Sequence, residues 1–243
     1  DAMAMNLNDL AMLNAQPYKL QNHIIIPDDN PKYILEIITA LSLECKKRGI
    51  AITGGETSIN NNIDGIDLSI TVSGFIKKPV AQQFQIDDVL IGIKSNGLHS
   101  NGFTKVREIY GDKFLNDFVE PTKIYSDLIL KLLPRYKING MMHITGGGFT
   151  KLKSLMSGAD AHINRSHKLK PQHIFKNLHS KGIADKNMYE IFNCGIGFIL
   201  SAPKNQADNI LKQLPNADII GKVTKGSGKI IIESNFSNKL VSL

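Results

Sequence analysis

The sequence predicts an α+β protein made of two domains. Helical and strand-like patterns alternate along its 243 residues without a strict strand–helix–strand repeat. A polar, proline-bearing stretch at residues 77–88, KKPVAQQFQIDD, separates two groups of predicted elements. We therefore place a domain boundary near residue 80, which gives domains at 1–80 and 81–243.

Composition is that of an ordinary folded protein, with 42% hydrophobic and 21% charged residues. No window approaches the roughly 18 uninterrupted apolar residues that a membrane helix needs, and the first residues lack the pattern of a secretory signal. The two cysteines are too few for a disulfide framework and too far apart for a metal motif. We expect a cytoplasmic protein with no membrane partner.

The formal net charge of +7 would suit a polyanion, but the lysines are scattered. The chain has no tryptophan and no aromatic RNA-binding motif. We therefore expect no nucleic-acid partner. Phosphorylated small molecules account for the charge equally well.

The first domain is predicted to begin with a buried helix at 2–14, rich in Ala, Met and Leu, followed by a strand at 23–27. The clearest helix spans 27–49, because Asp28, Asp29 and Asn30 suit its start, Pro31 its first turn and Gly49 its end. Strands at 50–53 and 67–76 complete this domain.

The second domain is predicted to begin with a buried strand at 89–94, a loop and a helix. A helix after Pro121, a strand at 140–145 and a helix from residue 150 follow. The remaining elements are a strand at 194–202, a helix at 205–214 and strands at 219–223 and 229–233.

Three glycine-bearing segments stand where a predicted strand gives way to a helix or loop: ITGGETS at 52–58, SNGLHSNG at 95–102 and HITGGGF at 143–149. Such junctions expose main-chain N–H groups, which bind phosphate well. A single such cluster is more often a tight turn, and none matches the Walker or Rossmann pattern. Three in one chain favour a site for more than one phosphate.

Several side chains near these segments could carry chemistry. Asp9 and Glu56 could hold Mg²⁺ together with substrate phosphates, or could be a helix-surface residue and a loop cap. His99 and His143 could contact a phosphate or transfer a proton, or be structural. Asn193 could bind a substrate amide or cap the end of a strand.

The order of certain segments resembles one family closely. These segments are NDL at 8–10, GGET at 54–57, HSNGF at 99–103, EPTKIY at 120–125, HITGGGF at 143–149 and MYEIFNCGIGF at 188–198. The chain is similar to aminoimidazole ribonucleotide synthetase, also called phosphoribosylformylglycinamidine cyclo-ligase, from residue 1 to about residue 232. The hydrogenase maturation factor, thiamine-phosphate kinase and selenophosphate synthetase share the architecture and the GGET-like element, but not these segments together.

The resemblance implies an N-terminal ATP-binding α/β sandwich domain that pairs with its copy in a homodimer, and a C-terminal α+β domain that binds substrate and phosphate. It implies a purine-biosynthesis ligase that converts formylglycinamidine ribonucleotide and ATP to aminoimidazole ribonucleotide, ADP and phosphate through an iminophosphate.

Site residues follow from the resemblance by motif. Asp9 and Glu56 match acidic residues near Mg²⁺, and His99 and His143 are the catalytic candidates. Asn193 is assigned to substrate. The ATP and phosphate contacts are assigned to Gly54, Gly55, Thr57, Ser100, Asn101, Gly102, Thr145, Gly146, Gly147 and Gly148.

The sequence departs from the family pattern in two places. Members carry an upstream segment resembling Asp-Gly-Val-Gly-Thr-Lys that contributes to ATP binding, and we expect the first domain to be incomplete at its start. After GGET, members continue into a Met-Pro-Gly stretch, where this chain has SINNNIDGIDLS. Two alternatives remain open: another ATP-using member of the superfamily with a different acceptor, and a non-catalytic dimerising remnant.

Overall fold

A computed structural model describes all residues, Asp1–Leu243. The chain forms two compact units, Ala2–Pro79 and Val80–Leu243, and Asp1 groups with the latter. We call Ala2–Pro79 the first unit and Val80–Leu243 the second unit. None of the helices is long and apolar enough to cross a lipid bilayer.

The first unit contains two helices and a sheet of three strands. Its elements are α1 (Ala2–Met12), β1 (Ala15–Ile26), α2 (Pro31–Arg48), β2 (Ala51–Ile59) and β3 (Asp67–Ile76). The strand order is β2-β1-β3, with β1 parallel to β2 and antiparallel to β3. The core joins Leu7 and Ala11 of α1 to Leu20 and Ile24 of β1.

The start of α2 follows the predicted capping chemistry. The Asn30 side chain accepts a hydrogen bond from the Tyr33 main-chain N–H at 3.4 Å, and Pro31 is the first helical residue. Gly49 ends the helix at φ +66°, a left-handed conformation that glycine adopts without steric cost. The predicted helix at 27–49 is confirmed apart from its first residues.

The strand predicted at 23–27 is much longer than expected. It begins at Ala15, and before His23 the buried residues Ala15, Pro17, Leu20 and Asn22 are interspersed with more exposed polar ones. Pairing with β3 runs from Ala15 to Ile25 and extends the strand through this polar stretch.

The second unit is built on a sheet of seven strands in the order β10-β9-β6-β8-β4-β7-β5. Its strands are β4 (Asp88–Lys94), β5 (Gly140–His143), β6 (Ala159–Ile163), β7 (Ile196–Pro203), β8 (Ala217–Lys225), β9 (Ile230–Glu233) and β10 (Leu240–Ser242). All pairings are antiparallel except that of β6 with β9. The mixed pairing agrees with the predicted α+β class.

The second unit also contains five α-helices. They are α3 (Phe103–Tyr110), α4 (Ser126–Leu132), α5 (His173–Ser180), α6 (Asp185–Ile191) and α7 (Ala207–Gln213), with short 3₁₀ helices elsewhere. β4 and β7 lie in the interior and are buried along almost their whole length. The helix predicted from residue 150 is a 3₁₀ helix, Gly148–Leu155. The elements β6, β10, α5 and α6 had no counterpart in the sequence prediction.

Candidate functional site

Sheet topology brings three of the quoted segments to one edge of the second unit. β4 and β5 each pair with β7 in the antiparallel sense, on opposite sides of it. β4 and β5 are therefore parallel to each other, and their carboxyl ends lie at the edge where β7 begins. The loops 95–102 and 144–147 and the segment 193–195 leave from this edge, which we call the loop edge.

Hydrogen bonds from Asn193 hold the loop 95–102 in place. Its side chain is fully buried, and Nδ2 donates to the main-chain oxygens of Gly97 at 2.9 Å and Leu98 at 3.2 Å. Its Oδ1 accepts from the Ser95 hydroxyl at 2.7 Å and from the Gly195 N–H at 3.0 Å. The donors and acceptors of this amide are thus used within the protein. These bonds favour a role for Asn193 in holding the loop over the predicted contact with substrate.

His99 lies within the same loop and is 1% exposed. Its φ of +59° is the left-handed region that costs a non-glycine residue about 1 kcal/mol. Nε2 lies 2.7 Å from Oδ1 of Asn96, whose Nδ2 donates to Glu120 Oε1 and to the Pro121 oxygen. Because Asn96 Oδ1 can only accept, Nε2 carries the proton, and the buried Nδ1 is left without a partner.

Burial, together with the smaller effects of the charges of His143 and Lys123, lowers the pKa of His99 to about 3. The imidazole is therefore neutral at physiological pH and has no imidazolium proton to give. This rules against His99 as a proton donor in this conformation and favours a positioning role.

His143, the last residue of β5, is also fully enclosed. Its ring is stacked on Phe198 at 6.1 Å and meets Tyr125 edge-on at 5.9 Å. Tyr125 donates to the Lys94 oxygen at 3.1 Å and fills the space beside Gly197. His143 thus belongs to an aromatic cluster beneath the loop edge, and no open face of the ring reaches solvent.

Asn101 and the glycines of the second loop form the part of the loop edge that suits an anion. Oδ1 of Asn101 lies 3.8 Å from the position that a Cβ on Gly146 would take, so the two loops are neighbours. Asn101 is 5% exposed, and its Nδ2 has no partner. Gly146 and Gly147 are exposed, and their N–H groups make no main-chain hydrogen bond. Unused donors at one place are what an oxyanion requires.

Lys151 adds a cation to this loop and was missed in the sequence analysis. Its Nζ donates to Thr145 Oγ1 at 2.6 Å and to the His143 oxygen at 3.2 Å. Thr145 is 4% exposed, and its hydroxyl accepts this bond. A lysine soon after a glycine-rich loop is a known feature of phosphate sites, and this spacing was the available signal.

Hydroxyl groups continue the polar surface on the side of the first loop. Ser100 Oγ lies 3.0 Å from Thr122 Oγ1, and Thr122 is largely buried. Gly102 precedes α3 at φ +75° and packs against the ring of Phe192. Ser100, Gly102, Gly146 and Gly147, which the motifs assign to phosphate, therefore lie in the loops of one edge.

The GGET segment is not a turn, and that prediction was wrong. Gly54, Gly55, Glu56 and Thr57 lie inside β2, paired with the β1 residues from Gln21 to Ile24. Pairing with β1 occupies one side of β2, and the other side is a free edge, because β2 ends the sheet.

The two acidic candidates lie on separate elements of the first unit. Glu56 is exposed, and its register partner is His23 of β1. Asp9 is exposed on α1. The chain contains no group of three or more His, Cys, Asp or Glu side chains that could hold a metal ion. A Mg²⁺ ion here would therefore depend on oxygen ligands supplied by phosphate.

Cys194 does not offer a nucleophile. It is 2% exposed, and burial raises the pKa of its thiol well above the ordinary value. Its Sγ donates to the Met188 oxygen at 3.3 Å. The reactive thiolate is thus disfavoured in this position.

Comparison with sequence families matches both parts of the chain. Residues 1–76 match the model of "AIR synthase related protein, N-terminal domain", and residues 85–233 match that of "AIR synthase related protein, C-terminal domain".

Solved structures share the fold at lower identity. Escherichia coli HypE, a hydrogenase maturation protein, has a TM-score of 0.77 and 20% identity, and the match covers all of this chain and 77% of that one. HypE in complex with ATP has a TM-score of 0.75 at 18% identity, with the same coverage. Thiamine monophosphate kinase from Aquifex aeolicus has a TM-score of 0.70 at 18% identity, covering 96% of this chain and 79% of that one.

Curated relatives have higher sequence identity to this chain than these solved structures. The phosphoribosylformylglycinamidine cyclo-ligase of Thermococcus gammatolerans is 35% identical over 99% of this chain and 75% of its own length. The proteins of the same name from Methanobrevibacter smithii and Saccharolobus solfataricus are 35% and 32% identical, over 92% and 100% of this chain and 72% and 76% of their own lengths. The chain belongs to the phosphoribosylformylglycinamidine cyclo-ligase family.

Proposed function

We propose that this chain performs the reaction for which its relatives are named, the ATP-dependent ring closure of formylglycinamidine ribonucleotide to aminoimidazole ribonucleotide. The identity of 35% to a cyclo-ligase over nearly the whole chain supports the assignment. The observation that carries it within the structure is the meeting of two loops at Asn101 and Gly146, where buried and main-chain donors have no protein partner.

The loop edge supplies the groups that phosphoryl chemistry needs. We assign the N–H groups of Gly146 and Gly147 and Nδ2 of Asn101 to phosphate oxygens, with Lys151 adding positive charge through Thr145. Phosphoryl transfer depends mainly on positioning and neutralisation of charge, so no nucleophilic side chain is required. ATP supplies the phosphoryl group that turns the formyl oxygen into a leaving group.

His99 and His143 take positioning roles in this proposal. His99 donates to Asn96 and holds the loop in its left-handed turn. His143 packs against Tyr125 and Phe198, and its main-chain oxygen accepts from Lys151. Both residues therefore fix the loops that carry the donors.

In the first unit, we propose that the edge strand β2 contributes Gly54, Gly55 and Thr57 to ATP binding. Asp9 and Glu56 are the proposed protein ligands of Mg²⁺. Mg²⁺ commonly takes one or two carboxylates and completes its shell with water and phosphate oxygens, which fits a chain without a dedicated metal cluster. When bound, the ion neutralises phosphate charge.

We also propose that the first unit forms the homodimer contact. Its sheet leaves apolar side chains in solvent, among them Phe75 at 64% exposure and Ile59 at 54%. Tyr18 is stacked on Phe75 with ring centroids 4.4 Å apart, so the two form a continuous apolar surface. Exposed surface of this kind marks an interaction site.

We propose that the protein is located in the cytoplasm. Both of its cysteines are free thiols, as is usual in that compartment.

The proposal is tested by incubating the purified protein with formylglycinamidine ribonucleotide and MgATP while ADP and the imidazole product are measured. We expect both products in equal amounts. ATP hydrolysis without the imidazole would favour another acceptor within the superfamily, and failure to bind ATP would favour a non-catalytic module.

A further inference from the structure

A cationic cavity lies in the second unit and is lined by none of the loop-edge residues. It has a volume of about 440 Å³ and is lined by Arg165, Lys170 and Lys176, together with the turn at residues 234–238. No carboxylate lines it. A concave site with positive side chains of this kind concentrates anions.

Arg165 is fixed in a position that leaves donors unused. Its Nη1 donates to the Ser237 oxygen at 3.0 Å and to Asn238 Oδ1 at 2.6 Å. No ion pair involves Arg165, and its Nε and Nη2 groups have no protein partner. A guanidinium held on one side, with a free fork on the other, is the arrangement that binds two oxygens of one phosphate.

The two lysines add charge from different elements. Lys170 Nζ donates to the Arg165 oxygen and lies 3.4 Å from Asn235 Oδ1. Lys176, on α5, is exposed and makes no hydrogen bond or ion pair in the chain. The cavity thus holds three positive side chains, of which Arg165 and Lys170 are tethered.

The nearest acidic groups are occupied elsewhere. Glu233 accepts the main-chain N–H of Arg165 at 3.1 Å but lines a different cavity. Asp185 accepts from Ser237 Oγ at 2.6 Å and lies 2.9 Å from His179 Nε2. Neither carboxylate is paired with a cationic side chain of the cavity. The positive charges of Arg165, Lys170 and Lys176 therefore remain available to a ligand.

We propose that this cavity is a binding site for the phosphate group of a small molecule, and none of the loop-edge residues lines it. The guanidinium fork of Arg165 contacts two phosphate oxygens, and Lys170 and Lys176 neutralise the second negative charge. The volume admits a phosphate together with an attached sugar or similar group.

The test is a titration of the ¹⁵N-labelled full chain, followed by NMR at the Arg165 Nε–H and the Asn238 amide. The probes are inorganic phosphate and ribose 5-phosphate. Shifts with both probes indicate that phosphate itself is recognised, and shifts with ribose 5-phosphate alone indicate a sugar phosphate. Either result supports the site.

Three variants separate the site from general surface charge. We expect Arg165→Gln to weaken binding at least about tenfold and Lys176→Gln about threefold, because each removes a charge-assisted contact. Lys176 makes no bond in the chain, so its replacement does not disturb the fold. Lys168→Gln, an exposed lysine of the same segment outside the cavity, is the matched control and should change binding less than about twofold.

The proposal is overturned if neither probe shifts these resonances, or if Lys168→Gln weakens binding as much as Lys176→Gln. Shifts with a single-stranded RNA dodecamer and not with the phosphates would also overturn it. Asn101→Ala should leave the Arg165 shifts unchanged while impairing the loop edge, so failure of the proposed cyclo-ligase activity is distinguishable from failure of this site.

Discussion

Asn101 and Gly146 face each other across two loops, with Oδ1 of Asn101 3.8 Å from where a Cβ on Gly146 would lie. The loops are 45 residues apart in sequence and meet because β4 and β5 flank β7 with the same direction. The contact places the Asn101 carboxamide, whose buried Nδ2 has no partner, beside a loop with bare main-chain N–H groups. The proposed phosphate chemistry depends on this relationship.

Replacement of Gly146 and of Gly148 should have different effects, the first on catalysis and the second on the stability of the fold. A Cβ on Gly146 would meet only Asn101 Oδ1, at an ordinary van der Waals distance of 3.8 Å, so Gly146→Ala should change the free energy of unfolding by less than about 0.5 kcal/mol. The added methyl lies on the donor surface, and we expect kcat/KM to fall about tenfold or more.

Gly148→Ala is the matched contrast. Gly148 has φ +51°, and a Cβ there would lie 2.3 Å from the Tyr189 main-chain oxygen. We expect a loss of about 3 kcal/mol in denaturant unfolding. Equal stability of the two variants would contradict the placement of the loop.

Asn193→Ala should destabilise the second unit. The substitution leaves the buried oxygens of Gly97 and Leu98 and the Gly195 N–H without their partner, at a cost of about 3 kcal/mol. Asn177→Ala, which removes a partly exposed bond to His173, should cost less than about 0.5 kcal/mol. An Asn193→Ala protein of wild-type stability with reduced activity would instead restore the substrate role.

Acid should destabilise the fold through buried histidines. Burial lowers the pKa of His99 to about 3 and that of His167 to about 4, below the unfolded value of 6.5. The unfolded chain therefore binds more protons below pH 6.5. The stabilisation is complete above that pH and is lost as pH falls towards the folded values.

Together the two groups should lower the free energy of unfolding by about 3 kcal/mol between pH 6.5 and pH 5. Urea unfolding across this range measures the slope. His167→Gln should remove about half of the pH dependence of the unfolding free energy, because His167 is one of the two histidines involved. Both of its ring nitrogens are buried without partners, which disfavours the protonated form. An unchanged slope in that variant would show that His167 is accessible to protons in the fold.

Phe75→Asp should dissociate the proposed dimer while leaving each subunit folded. Phe75 is 64% exposed and stacked on Tyr18, so a charge there opposes burial against a second copy. Sedimentation equilibrium measures the mass. Phe114→Asp, an equally exposed phenylalanine in the second unit, should not alter it. A Phe75→Asp protein that sediments like the wild type would exclude this face.

The sequence predicts those helices and strands whose determinants, such as a capping residue or an apolar run, lie within a few residues of each other. The cap at Asn30, the stop at Gly49 and the buried run of β4 were each visible in the sequence. The loops after β4 and β5 were predicted for the same reason, since glycine interrupts each apolar run.

Elements that depend on distant partners were not predictable in this way. Gly54 and Gly55 lie in a strand because β1 pairs with them across about 30 residues, whereas glycine locally favours a turn. The sequence motif assigns Asn193 to substrate, and only its hydrogen bonds to Ser95, Gly97 and Leu98 show that it holds a loop. The role of Lys151 was not predicted, because its contact with Thr145 depends on the 3₁₀ helix that contains Lys151. That helix places Nζ of Lys151 beside the Thr145 hydroxyl.

The most direct test compares wild type with Asn101→Ala for aminoimidazole ribonucleotide formation, under saturating MgATP and with unfolding free energy measured in parallel. Asn101 Nδ2 has no partner in the chain, so the account predicts unchanged stability and a loss of at least about tenfold in kcat/KM. An Asn101→Ala enzyme with wild-type turnover would contradict the claim that these two loops hold phosphate during ring closure.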